Sequence, residues 1–475
     1  MNASWMTSLQ EVARNPRVDR IADLTVIVAA VLAFLFMLSG YLALPTLPVF
    51  GHDEVHYHTS FRFKLVEDGR WLNYLLHDVL RAVPTPLWSV LYVGLWWSLL
   101  YRMARTCFEA PYAALIASAA VLTTPFLEIS LWPASVVPGL LLAWLALLMR
   151  ERGAPYQMVY LVSGILMFGA IQTVYFLLPL FFLQQFLDTT TPMRARLLLL
   201  FKHMLWWVAG SVAGVLFMSL MLGFLVDIYF PQPPPWRNTQ PAEDLTGLIA
   251  NINYVITSLH AWLELLLVQG WVSWNVIFLC VALAVLRART LLAQTPALLL
   301  LGAVLLSFFV FSIPLAPAIH MRSLIAMSTV VVLAMAIVPG RTAAGRVLGA
   351  VLVLRLAFHY SLVCQDYFEA QRLETTAYLT AMQKLFSGYP MAYAALALDG
   401  AMDPAKPEAR RFNDASLMHP IMVSLGVPEI LDCRVPGRCD KLGAESVPLS
   451  VQPFAGGQLE LTVNAAKVGI VRYRE

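Results

Sequence analysis

Residues 154–187 read APYQMVYLVSGILMFGAIQTVYFLLPLFFLQQFL, thirty-four positions without a charge. A single helix of that length would be about 50 Å long at 1.5 Å per residue, against a hydrocarbon layer of about 30 Å. Two shorter spans turning near Gln172–Thr173 fit better. The flanks agree, because Arg150 and Arg152 precede the run and Arg194, Arg196 and Lys202 follow it. Cations collect on the inside of a membrane, so both ends of the run belong there and the number of crossings is even.

Working outward, other uncharged runs cover Leu24–Leu44, Ala82–Tyr101, Ala110–Leu127, Ile129–Met149, Met204–Val226, Leu265–Leu286, Pro296–Pro314 and Ser323–Gly340. A last run at Val347–Val363 is interrupted only by Arg355. With residues 154–187 counted twice, about eleven helices are expected. Arg14, Arg17, Arg20, Arg102, Arg105, Arg287, Arg289, Arg341 and Arg346 all fall inside without conflict. The N-terminus is then inside and the C-terminus outside. Between Asp227 and Glu264 four carboxylates face one Arg237, as suits an outside loop. The first run has no cleavage site before its polar flank and reads as an uncleaved helix.

The whole composition agrees. Of 475 residues, 59% are hydrophobic and only 13% charged, with a net charge of +3 and a mean hydropathy of +0.69. A soluble enzyme, a disulfide scaffold and a disordered chain are excluded, and a small charge divided by side argues against nucleic acid as partner. The expected fold is an all-α polytopic membrane domain over residues 1–363, with its first outer loop at 45–83, followed by a small soluble α/β domain at 364–475. In that tail Asp366–Leu385 has helical periodicity, and Leu449–Val451 and Gln458–Val463 alternate as strands do. Cys433 and Cys439 have a spacing compatible with a small disulfide loop, which would need an oxidising compartment.

The chemistry concentrates in the first outer loop, PTLPVFGHDEVHYHTSFRFKLVEDGRWLNYLLHDVLRAV from Pro45 to Val83. Asp53 and Glu54 follow the first helix, and Arg62, Lys64, Glu67, Asp68, Arg70, Asp78 and Arg81 follow on amphipathic spacing. Phe61, Leu65, Trp71, Leu72, Leu75 and Leu76 are expected to face lipid, giving a helix in the interface plane. Ionic groups at headgroup depth suit transfer of a sugar from a lipid-linked phosphate. A base, Asp53 or else Glu54, takes the acceptor's proton, and Arg62, Lys64 or Arg70 meets the departing phosphate.

Each feature also has a plain reading. Outer loops are commonly charged, and an acidic pair beside a span is often solvated surface. His52, Asp53, Glu54, His56 and His58 resemble a metal-ligand set, although no zincin motif is present and polar loop histidines are the default. Arg322, after His320, and Arg355 lie at costly depths and could meet a lipid phosphate, mark a boundary or snorkel. Trp132 reads as an interface anchor rather than a stacking platform. His56, His58 and Trp71 complete the candidates for substrate contact.

Asp53-Glu54 in the first outer loop, Gly69-Arg70-Trp71-Leu72 ahead of the second span, Pro125-Phe126 near the end of the third and the late Arg322 resemble the GT-C glycosyltransferases. More narrowly they resemble the Gtr-type glucosyltransferases that modify bacterial O-antigen. The likeness in layout covers most of the membrane half. It implies a polyprenyl-phosphate sugar donor, a lipid-linked glycan acceptor, an inverting-type displacement at the periplasmic face of the inner membrane with the acidic pair as general base, and no obligatory nucleotide-sugar site; no cofactor is expected. Asp53-Glu54 departs from the usual Asp-Asp. A secondary transporter or lipid-linked-glycan flippase, or a non-catalytic envelope scaffold, would share the hydropathy pattern.

Overall fold

A computed structural model describes residues 16–47, 61–232, 240–268, 292–317, 319–339, 342–387, 395–399, 402–403, 412, 418, 421, 425, 430–432, 446–464 and 468–474. The chain forms two compact units. The first comprises Met1–Leu42, Phe61–Leu80 and Pro86–Gln365, and the second comprises Ala43–Ser60, Arg81–Thr85 and Asp366–Glu475.

The first unit is helical. Five candidate spans, Val18–Thr46, Pro133–Glu151, Met193–Val226, Thr295–Ser312 and Ala343–Phe386, are long and apolar enough to cross a membrane. Shorter apolar helices occupy Ala110–Leu122, Tyr156–Phe168, Gln172–Leu187 and Ile325–Ile337. By that measure the expected eleven full-length spans are not reproduced. Several expected spans are short or broken, and most of Leu265–Leu286 lies outside the described residues. The outer faces are apolar, with Leu24 61%, Leu216 65% and Phe224 82% exposed. Such a surface needs lipid as its solvent, and this is a membrane-embedded architecture.

Residues 154–187 fold as a hairpin. Helix Tyr156–Phe168 stops at Gly169, and the chain returns through Gln172–Tyr175, a 3₁₀ segment at Leu178–Phe182 and Leu183–Leu187. Pro179, near the start of the 3₁₀ segment, lacks an amide hydrogen to continue an α-helix. The ends meet, since an Arg150 guanidinium nitrogen lies 3.5 Å from Gln184 Oε1. The turn falls at residues 169–171, just ahead of the expected Gln172–Thr173. The returning leg is broken into three short pieces.

Glycine lets the hairpin meet the long helix Met193–Val226. A Cβ on Gly164 would overlap the carbonyl oxygen of Gly210, and one on Gly210 would strike Tyr160's backbone and the Tyr175 hydroxyl. Gly210 and Gly214 stand four apart on one helix face, the small-residue spacing by which membrane helices bring their backbones together. Tyr175 then donates to the Trp207 carbonyl at 2.8 Å. At the base of the same helix Arg196, 3% exposed, donates to the carbonyls of Thr191, Phe186 and Ala293 at 3.1, 2.9 and 2.8 Å.

The ends assigned inside by their arginines gather together. Arg102 pairs with Glu151 at 2.9 Å, and Arg346 pairs with Asp19 and Asp23 at 3.2 and 2.8 Å.

In the second unit, the last part of helix Ala343–Phe386 buries Tyr378, Met382, Leu385 and Phe386 against Leu459, Leu461, Val471 and Tyr473. The sheet has five strands, β1 Ala395–Asp399, β2 Ile430–Asp432, β3 Ser446–Phe454, β4 Gly457–Asn464 and β5 Val468–Arg474. Their order is β2-β1-β5-β4-β3. β1 is parallel to both neighbours, while β3, β4 and β5 form an antiparallel meander. The expected helix and two strands are present, joined by three strands the sequence did not suggest. The β3–β4 turn places Ala455 and Gly456 at φ 50° and 76°, the hand that matches strand twist. Cys433 and Cys439 lie outside the described residues.

Candidate functional site

The described part of the first outer loop is three short helices, Arg62–Asp68, Trp71–Leu75 and His77–Ala82, rather than one amphipathic helix. Gly69 makes the first break. It caps its helix in the left-handed region at φ 70°, with its N–H donating to the Leu65 carbonyl at 2.9 Å. A side chain there would also run into Met218. The reversal returns Arg70 to the helix it has just left.

Lys64, Glu67 and Asp68 occupy one face at spacings of three and four. Lys64 Nζ lies 3.5 Å from Asp68 Oδ2 and 4.0 Å from Glu67 Oε2, and Arg70 Nε lies 3.3 Å from the same Asp68 oxygen. The side chains of Lys64, Asp68 and Arg70 are only 8%, 3% and 11% exposed. Ions that have lost most of their water depend on one another, so this group is far more tightly coupled than a surface pair.

The loop is fastened to the hairpin turn. Leu72 and Asn73 donate their backbone N–H groups to the Gly169 carbonyl at 2.8 and 3.4 Å. Gln172 Nε2 donates to the carbonyls of Asp68 and Phe168 at 2.8 and 3.2 Å. Asn73, fully buried, donates to the carbonyls of Ser135 and Ala170 at 2.9 and 3.4 Å. Below them Leu65 and Trp71 pack with Met218 and Leu222. Leu65 and Trp71 are therefore buried in protein and do not face lipid, because the long helix offers them an apolar seat; Phe61 is buried too, with its ring against His77. Leu75, 53% exposed, keeps an outer position.

Across a cleft of about 110 Å³ stands Arg322, in the 3₁₀ turn Met321–Ser323. Its backbone N–H donates to Glu128 Oε2 at 3.2 Å. Its guanidinium lies 4.3 Å from the centre of the Trp132 ring, and Lys64 Nζ lies 5.8 Å from that centre. Both distances are within reach of the ring's negative face. Lys64, Asp68, Arg70, Trp132, Gln172, Thr173, His320 and Arg322 all line this cleft. Three cationic side chains and the Asp68 carboxylate line the cleft, with Glu67 and Glu128 held close beside Lys64 and Arg322. The hydroxyl of Thr173 is buried and has no hydrogen-bond partner among the described residues.

Of the expected phosphate partners, Lys64, Arg70 and Arg322 come together, although more than two hundred and fifty positions separate Lys64 from Arg322. Arg62 is exposed and does not line the cleft; Arg355 is exposed on helix Ala343–Phe386 and does not line it either. Trp71 is core, 6% exposed. Phe126 supports the region from behind, its carbonyl accepting the Tyr92 hydroxyl at 2.6 Å. Asp53, Glu54, His52, His56 and His58 lie outside the described residues. Among those that are described, no three His, Cys, Asp or Glu side chains form a metal-holding group. Sequence reasoning missed Glu128 and Asn73, and it gave Trp132 an anchor's role where the structure puts it between two cations. Its place just before helix Pro133–Glu151, at the turn facing the charged loop, was the available signal.

Comparison with family models, curated proteins and solved structures gives no match.

Proposed function

We propose that this chain is a polytopic GT-C-type glycosyltransferase of a bacterial inner membrane. It moves a sugar, glucose by the family resemblance, from a polyprenyl-phosphate donor to a lipid-linked O-antigen or other surface glycan at the periplasmic face. The observation that carries this reading is the convergence of Lys64, Arg70 and Arg322 on one cleft beside a buried carboxylate. In the reaction the acceptor hydroxyl loses its proton to Asp53, or in its place Glu54, and attacks the anomeric carbon. The bond from that carbon to the phosphate oxygen breaks, and its electron pair leaves on polyprenyl phosphate. Lys64, Arg70 and Arg322 stabilise that anion, arginine by paired donors. The orientation, with the N-terminus inside and residues 364–475 outside, belongs to the same proposal.

The test is transfer by purified protein from a polyprenyl-phosphate sugar to an acceptor glycan. Wild-type protein transfers; Asp53→Asn abolishes transfer, and Arg322→Gln lowers it by about two orders of magnitude, as for loss of a transition-state charge partner, while both variants remain folded. Full activity in Arg322→Gln overturns the role of the cleft. The broken leg Gln172–Leu187 favours a second reading, a transporter or flippase. That reading gains if purified protein never transfers sugar yet moves the donor across a reconstituted bilayer.

A further inference from the structure

A second cavity is larger than the cleft. It is a chamber of about 560 Å³ at the opposite, arginine-rich end of the first unit, and it shares no residue with the Lys64–Arg322 site. Six stretches enclose it: helix Pro16–Tyr41, the segment from Arg105 to Tyr112, Leu187, Gln294, the end of Ile325–Ile337, and Arg346.

Its wall and its rim differ. Val26, Ile27, Leu187, Ala336 and Ile337 supply apolar surface. Ile27 is 45% exposed and continues outward into Leu24, Val28 and Val31, which are 61%, 49% and 54% exposed on the same helix. The apolar wall thus runs onto a surface that needs lipid. The rim carries Asp23, Arg105, Glu109 and Arg346, balanced in sign. Arg346 and Asp23 neutralise each other at 2.8 Å. Arg105 donates to the Phe108 carbonyl at 2.9 Å. Neither it nor Glu109 has an oppositely charged partner among the described residues. One cation and one anion therefore stand ready, four positions apart, at the mouth of an apolar channel.

We propose that this chamber binds a zwitterionic phospholipid of the ethanolamine kind, with its phosphate on Arg105, its ammonium on Glu109 and an acyl chain along Val26, Ile27 and Ile337. A soluble anion would leave the apolar wall unused. A neutral lipid would leave both charges unmatched, and an anionic lipid such as a phosphatidylglycerol, which has the phosphate without the ammonium, would leave Glu109 unmatched.

Cys107, a half-buried thiol on the chamber wall, reports occupancy. Full-length protein in neutral detergent is treated with a maleimide, and modification of Cys107 is followed by peptide mass, with the buried Cys364 as an internal reference. Lysophosphatidylethanolamine is expected to slow modification of Cys107 by about fivefold or more, from steric shielding and charge-assisted contacts. Glycerophosphoethanolamine, which has the head without the chain, and monoacylglycerol, which has the chain without the head, are expected to leave the rate unchanged. Arg105→Gln and Glu109→Gln are each expected to weaken the protection, and Ile337→Trp, which fills the chamber without touching either charge, to abolish the lipid's effect. Equal protection by monoacylglycerol, by the free head or by lysophosphatidylglycerol overturns the proposal. So does protection that survives both charge substitutions, or no protection at all.

Discussion

At one end of the first unit Lys64 and Arg70 share Asp68 at 3.5 and 3.3 Å, with side chains 3–11% exposed. At the other end Arg346 holds Asp19 and Asp23 at 3.2 and 2.8 Å, with side chains 25–51% exposed. The contacts are shorter where water is plentiful. Distance alone would rank the second cluster as the stronger, and desolvation reverses that order: removing one member of a buried group strands charge that water cannot reach, whereas an exposed carboxylate is replaced by solvent.

The comparison breaks most easily at Asp68. Asp68→Ala should lower stability by about 3–5 kcal/mol, because Lys64 and Arg70 are left facing each other with little water. Thermal unfolding in detergent measures it, and a loss no larger than that of Asp23→Ala would undo the distinction. Asn73→Leu should follow, with a loss of about 1–3 kcal/mol from the unmet carbonyls of Ser135 and Ala170; the same melt reads it. Gly69→Val should lower stability by about 1–2 kcal/mol or more, through its left-handed backbone and its crowding of Met218. Gly69→Asn, which tolerates that backbone, should lose less. Equal melting temperatures for the two variants would remove the backbone from the explanation. Smallest is Arg346→Gln, expected to change stability by less than about 1 kcal/mol. Raising the salt should shrink that difference further, since exposed pairs are screened.

The membrane character, the hairpin and three of the cleft's cations were legible in the amino-acid sequence, each for a physical reason. An uncharged run too long for one crossing must turn back. Lys64, Arg70 and Arg322 are ions beside apolar sequence, a costly arrangement that stands out. What was not legible depends on contacts between distant segments. Leu65 and Trp71 suit lipid or a protein core equally well by composition, and only Met218 and Leu222 decide between them. Asn73 gives no sign of the two carbonyls it will meet. The extra strands of the sheet are similarly hidden, as β1 and β2 are too short to show alternation and find their register only beside β5.

The meeting of Gly164 with Gly210 has one more consequence. Where main chain rests on main chain there is no rotamer to turn and no side chain to swing aside, so the hairpin and helix Met193–Val226 behave as a single beam, with the Lys64–Asn73 segment bolted to it through Gly169 and Gln172. Room for a ligand larger than the present cleft must then come from the facing bank. There Arg322 rides on a short 3₁₀ turn, a few positions beyond Ala316, whose φ of 35° an alanine holds only under tension.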